Sequence, residues 1–294
     1  MQATRRALSD GRWHFQHGPI DLVLQVNGDD SHCQQALAAA WTRFETILPE
    51  LVAELPLLRT PVTQLEGHAF KGKVAQRMGQ AAQALAWAAA DGFVTPMAAV
   101  AGAVAQEVVD VLAQQGVRRA YVNNGGDIAL HLQAGEVWRV GLVSDLSKAL
   151  ASHAHNELLT DGQFLVAHDM PVRGVATSGW SGRSFSFGVA DSVTVLAATA
   201  AQADVAATLI ANRVNLDHPG IVRRPANSLR DDSDLGERLV TVDVPLGLPS
   251  AKVTAALQLG LDCALALQAR GQLHAAFLCC QGQMVLAQPL ECLV

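Results

Sequence analysis

The hydrophobic period changes once along this chain, near residue 116, and that single change restricts the folds open to it. Up to that point the spacing is mostly helical. Beyond it, short alternating runs of strand character dominate, with single helices between them. Near the start, residues 19–26 alternate apolar and polar side chains and read as a half-buried strand, ended by Asn27-Gly28. A helix is expected from about residue 31 to 55, broken by Pro49 and Pro56. Residues 76–90 and 96–115 form a helical pair around a break at 91–95. Pro96 suits the first turn of the second helix, and Gly116 stops it. Strands are expected at 120–123, 128–132, 137–143, 172–176, 192–196 and 239–244, and two more flank Gln281-Gly282 as a hairpin. Helices are expected at 201–213 and 251–269, with a polar, acidic loop at 219–237. Strand runs mixed with helix pairs predict an α+β fold rather than a βαβ repeat. No linker divides the chain, so residues 1–294 read as a single domain.

Composition narrows the function classes. Charged residues are 16% of the chain and hydrophobic ones 50%, against about 25% charged in ordinary globular domains. Buried surface between subunits would account for that deficit, so a homo-oligomer, a dimer first, is expected. The net charge of −6 and scattered arginines argue against a nucleic-acid partner. The doublets Arg118-Arg119 and Arg223-Arg224 read as solvated. Five cysteines without a C-x-x-C pair (Cys33, Cys263, Cys279, Cys280, Cys292) suit reduced thiols. The polar stretch 1–12 carries no signal-peptide core and no later stretch reads as a membrane span, so a cytoplasmic protein without membrane association is expected.

Four segments carry residues suited to chemistry. Asn123-Asn124-Gly125-Gly126-Asp127 follows a strand, and its glycines would let backbone N–H groups approach an anionic or nucleotide ligand. The same residues are also a hairpin signal. On the ligand reading, Gly126→Val should harm binding more than folding. Asp204 and Thr208 stand at i and i+4 on a helix, so their oxygens share one face and could hold Mg²⁺. The alternative makes Asp204 a helix-start acid favoured by the dipole. Thr177-Ser178-Gly179, followed by Trp180, Ser181, Gly182 and Arg183, is a polar turn suited to ligand contact, but its residues do not complete a G-x-S-x-G elbow. Asp231, Asp232, Asp234 and Glu237 form an acidic loop without calcium-loop spacing, and His153 and His155 have no ligand-spaced partner.

Taken together, residues 94–103, Asn124 to Ile128, Ser184 to Gly188 with Ala190-Asp191, Ala203-Asp204 through Thr208 to Asn212, and 232–242 resemble the functionally uncharacterised branch of the ApbE superfamily. The resemblance covers roughly residues 75–260. Its better-known relatives are FAD:protein FMN transferases, which use Mg²⁺ to split FAD and attach FMN to a protein threonine. The resemblance implies a T-fold-like α+β architecture with internal duplication. It puts Asp204 and Thr208 on metal-ligand positions and Asn124, Gly125, Gly126 and Asp127 beside the nucleotide pocket. Thr177, Ser178 and Gly179 fall on its T-S-G turn. The expected cofactors are Mg²⁺ and FAD or another nucleotide, in a cleft lined by Asp127, Thr177 and the Asp204–Thr208 face. The transferases carry a histidine and an Asp-Pro shortly after the T-S-G turn, and residues 182–188 here have neither. That departure sets a binding or assembly protein without the chemistry beside the transferase reading.

Overall fold

Alternating burial marks the third strand, where Ile20, Leu22 and Leu24 are buried and their neighbours are not. The computed structural model describes residues 2–65, 67–142 and 162–288. Val143, His153, His155 and Cys292 lie outside them. Helices packed on antiparallel sheet make the fold α+β, and the described residues form two compact units interleaved along the chain.

Unit 1 comprises residues 1–136, 171–176 and 196–206. Strands β1 (Thr4–Ala7), β2 (Trp13–His17), β3 (Ile20–Asn27), β4 (Arg119–Asn124) and β5 (Asp127–Leu132) pair antiparallel in chain order. The start of β8 (Gly174–Ser178) pairs with β5 through Val175 and Gly174. Helices α1 (Asp30–Ala53), α3 (Lys73–Leu85) and α4 (Val100–Ala113) belong to this unit, with a single-turn α2 (Leu55–Leu58). In α1 the buried stripe is Ala36, Ala40, Phe44, Ile47 and Leu51, spaced for one helix face. Phe15 meets Trp41 edge-on and Phe44 at a tilt, with ring centroids 5.1 and 5.5 Å away.

The helix is not broken at Pro49, as the sequence suggests, but runs through it. Pro49 is exposed, so the carbonyl it leaves unpaired can be hydrated. The buried stripe on both sides of it then offsets a cost of about 3 kcal/mol.

Unit 2 comprises residues 137–170, 177–195 and 207–294. It contains the pairs β6 (Val137–Leu142) with β7 (Gly162–Ala167), β10 (Val222–Pro225) with β11 (Leu239–Asp243), and β12 (Ala275–Cys280) with β13 (Gln283–Ala287). Most of β9 (Ser192–Ala197) also belongs here. Helix α5 (Ala200–Arg213) enters it at residue 207, α6 (Ala226–Leu229) is a single turn, and α7 (Ser250–Ala269) packs on the β12–β13 hairpin. Gly260 of α7 is needed for packing, since a Cβ there would lie 2.4 Å from Val214 and 2.8 Å from Leu278. The acidic loop expected at 219–237 holds β10 and α6, because pairing with β11 supplies order that local composition does not.

Two stretches, Pro96–Ala113 and Ser250–Ala269, do meet the length and apolarity of a membrane span, which amends the sequence reading. More than half of the first is buried, and it carries the ion-paired Glu107, as suits a core helix rich in Ala and Val.

Candidate functional site

The start of α5 is fastened by its own sequence. Thr199 precedes the helix, and its hydroxyl accepts the Gln202 N–H at 3.2 Å and donates to the Gln202 side chain at 3.3 Å. This is the S/T-x-x-E/Q capping pattern. Asp204 therefore sits beyond the first turn, which contains no acid. The helix-start reading of Asp204 fails on that point.

Asp204 instead serves the neighbouring helix. The first N–H groups of a helix lack intrahelical acceptors, and Gly102 of α4 donates its N–H to Asp204 Oδ2 at 2.9 Å. The two chain segments meet closely enough to exclude a side chain. A Cβ on Gly102 would lie 2.3 Å from the Ala200 carbonyl oxygen, and one on Gly174 would lie 2.3 Å from Ala200 N. Around this contact, Asn124 Nδ2 donates to Ala101 O at 3.1 Å, and Gln106 Oε1 accepts the Ala201 N–H at 3.4 Å. All of these residues belong to unit 1.

Electrostatics make Asp204 the unusual group of this cluster. Burial raises its carboxyl well above the ordinary 3.8, and the charge of Asp127 raises it further. The N–H groups of Gly102 and Ala101 pull the other way. A carboxylate held against both desolvation and a second carboxylate is stabilised by a proton or by a cation. Thr208 is one turn further along α5 and half-buried. Among the described residues no cluster of three or more His, Cys, Asp or Glu could hold a metal. Any ion here would draw its remaining ligands from hydroxyl, carbonyl and water oxygens, a set that suits Mg²⁺.

The other sequence-predicted residues have more local explanations. Gly125 and Gly126 form the two-residue turn between the paired Asn124 and Asp127, with φ of 68° and 118°. A Cβ at Gly126 would meet nothing within 4 Å, so backbone conformation and not close approach demands glycine. Asn123 Oδ1 accepts the Gly126 N–H at 2.8 Å. The positive φ gives Gly126→Val a folding cost of its own, whatever it does to binding. The substitution should lower the melting temperature, by strain of about 1–3 kcal/mol, and an unchanged thermal melt would contradict this geometry.

In unit 2, Thr177 shares a 2.9 Å hydroxyl bond with Thr194. Gly179 is dictated by packing, since its Cβ would lie 2.2 Å from Asp191 O. Asp191 accepts the Trp180 indole N–H at 3.2 Å and the Gln281 N–H at 2.5 Å. These bonds fix the Thr177-Ser178-Gly179 turn. Ala101 and Gly102 lie in the 94–103 segment that carried the resemblance but were given no role there, and Gly174 was given none either. An isolated glycine in the apolar 96–113 helix was the available signal.

A family model described as AbpE bacteria matches residues 5–286. A UPF0280 protein of Methanopyrus kandleri is 34% identical over 228 residues, spanning 76% of this chain and 83% of that protein. A UPF0280 protein of Methanothermobacter thermautotrophicus is 36% identical over 155 residues, 52% of this chain and 55% of its own length. Among solved structures, a mutant form of flavin transferase ApbE from Vibrio cholerae aligns at TM-score 0.47 and 12% identity, covering 98% of both chains. Flavinyl transferase ApbE from Pseudomonas stutzeri, in its apo form, aligns at 0.44 and 15%, covering 98% of this chain and 94% of that one.

Proposed function

The chain belongs to the family described as AbpE bacteria, an ApbE-like branch, and from that premise we propose that it binds a phosphorylated or nucleotide-type small molecule together with Mg²⁺ at the Asp204 cluster. One observation carries this reading. Asp204 is half-buried and accepts the Gly102 N–H at 2.9 Å, burial and the charge of Asp127 both raise its carboxyl, and a divalent cation would relieve both costs at once. Asp204 and Thr208 would supply side-chain oxygens to the ion. The turn of Asn124, Gly125, Gly126 and Asp127 would lie against the ligand. Mg²⁺, when bound, supplies charge compensation for phosphate oxygens.

The concrete enzymatic version is flavin-transferase-like: FAD is split, FMN passes to a protein hydroxyl, and AMP leaves with the proton from that hydroxyl. The absence of a histidine and an Asp-Pro from residues 182–188 favours a second reading, a protein that binds the ligand without the transfer. Absorbance and mass spectrometry of the purified protein, then titration with FAD with and without Mg²⁺, test the shared claim. Uptake of FAD only with Mg²⁺ is expected. AMP release in the presence of an acceptor protein separates the two versions.

A homodimer is also proposed. Leu246, Leu259, Leu265 and Met284 of unit 2 are 96, 54, 45 and 46% exposed, and large apolar side chains left open to water in this way suit an interface in a protein that stays in solution. Light scattering should give twice the chain mass, and a monomer mass at all concentrations would dismiss the dimer.

A further inference from the structure

A second charged cluster in unit 1 takes no part in the site just described. Glu107 of α4 is only 3% exposed. Its Oε1 accepts Arg43 Nε of α1 at 2.7 Å, and its Oε2 accepts a nitrogen of Arg77 of α3 at 3.2 Å. The remaining Arg77 fork donates to Asp110 at 2.7 Å. The two terminal nitrogens of Arg43 donate to Glu50 at 2.6 and 2.8 Å. Five charged residues thus converge on one helix junction in a chain only 16% charged. Buried ion pairs contribute little net stability compared with apolar packing of the same volume, while losing one partner is costly. What such a pair does supply is a fixed setting, because few arrangements satisfy both guanidinium groups together.

That setting matters for α4 in particular. Glu107 lies roughly 140° around the helix from Gly102 at 3.6 residues per turn, so the ion pairs hold a different face of α4 from the one that carries Gly102. A slide of about half a residue rise, ~0.75 Å, would carry the Gly102 N–H out of good alignment with Asp204.

We propose that Glu107 is a positioning residue: held by Arg43 and Arg77, it fixes the axial setting of α4 and so aims the Gly102 N–H at Asp204. The functional weight of this rests on the reading of Asp204 as the site's carboxylate.

Native-state hydrogen exchange on the full-length protein tests it. In Glu107→Gln, the Gly102 amide should exchange roughly tenfold faster, over and above any change shared by amides 104–112 of the same helix, the factor for losing one hydrogen bond of ordinary net strength. Val109→Ala, a buried change on α4 outside the ion-pair cluster, should instead loosen the helix evenly. Even loosening in Glu107→Gln as well would overturn the proposal and leave the cluster a bundle clamp. Arg77→Gln keeps the Arg43–Glu107 bond and should give a smaller change of the same kind at Gly102. It decides the matter if Glu107→Gln does not fold, and no selective change at Gly102 in it counts against the proposal. Calorimetric titration with Mg²⁺ forms a separate arm: a roughly tenfold weaker affinity in Glu107→Gln is expected by the same bond strength. A wild type that takes up no Mg²⁺ refutes the metal reading, while the exchange comparison still decides the role of Glu107.

Discussion

Gly102→Val is expected to lower the melting temperature by on the order of 5 °C or more, at about 2–4 °C per kcal/mol for a chain of this size. A Cβ at residue 102 would stand 2.3 Å from Ala200 O, 2.6 Å from Ala200 C and 3.0 Å from Ala201 N. These are backbone atoms, which cannot rotate aside as a flexible side chain can. Gly174 also lies close against the α5 start, its ideal Cβ 2.3 Å from both Ala200 N and Thr199 O. The Thr199–Gln202 cap would have to move as well. Overpacking typically costs about 1–3 kcal/mol even where neighbours can adjust, and here they cannot. Gly102→Ala should show the same effect at smaller size. Thermal unfolding followed by circular dichroism measures both, and a Gly102→Ala variant melting like wild type would mean that α4 and α5 do not approach this closely.

Local pattern was readable in several elements with one buried face, though β2 and β7 were missed despite alternating burial. The alternation at Ile20, Leu22 and Leu24 located β3. The Asn124–Asp127 turn matched its hairpin signal, and the helices at 73–85, 100–113, 200–213 and 250–269 followed the apolar spacing. Other failures share a cause. Strand β1 is exposed at all four residues, so it carries no alternation, and only its pairing with β2 makes it a strand. Strand β10 is likewise defined by a partner, β11, more than ten residues away. Pro49 carries a local stop signal that nonlocal burial overrides. At the site, the i, i+4 spacing of Asp204 and Thr208 was visible. The bond that gives Asp204 its character joins residues 102 apart in the chain, and the charge of Asp127 reaches it through the fold. Neither can be read from spacing. Gly179 shows the converse: a residue that looks like part of a ligand turn has a sufficient cause in its contact with Asp191.

Asp204→Asn is expected to abolish Mg²⁺ uptake and to remove a pH dependence of stability that the wild type shows without metal. The sign follows from proton counts. In the unfolded chain the carboxyl titrates near its ordinary 3.8. In the folded chain burial and Asp127 hold it well above that. Between the two values the native state binds more protons than the unfolded state, so stability falls as pH rises from the ordinary carboxylate range through the folded pKa, and is flat above it. Mg²⁺ requires the ionised form, so its affinity should rise with pH over the same interval and saturating ion should flatten the slope. Asparagine keeps an oxygen that can accept the Gly102 N–H, so this variant should fold. Asp204→Ala removes that acceptor too and should cost about 0.5–2 kcal/mol, the range for losing a helix N-cap. That exceeds the few tenths to one kcal/mol of a dipole contribution alone, which is what a helix-start acid would have given. Thr208→Val should weaken Mg²⁺ without abolishing it, since one neutral oxygen among several is lost. Calorimetric titration at a pH below and a pH above the folded carboxyl transition, paired with thermal melts at each, measures all of this. An asparagine variant that binds Mg²⁺ as tightly as wild type, or a wild type that takes up no ion at the higher pH, would remove Asp204 from the metal and leave it as the tertiary cap of α4.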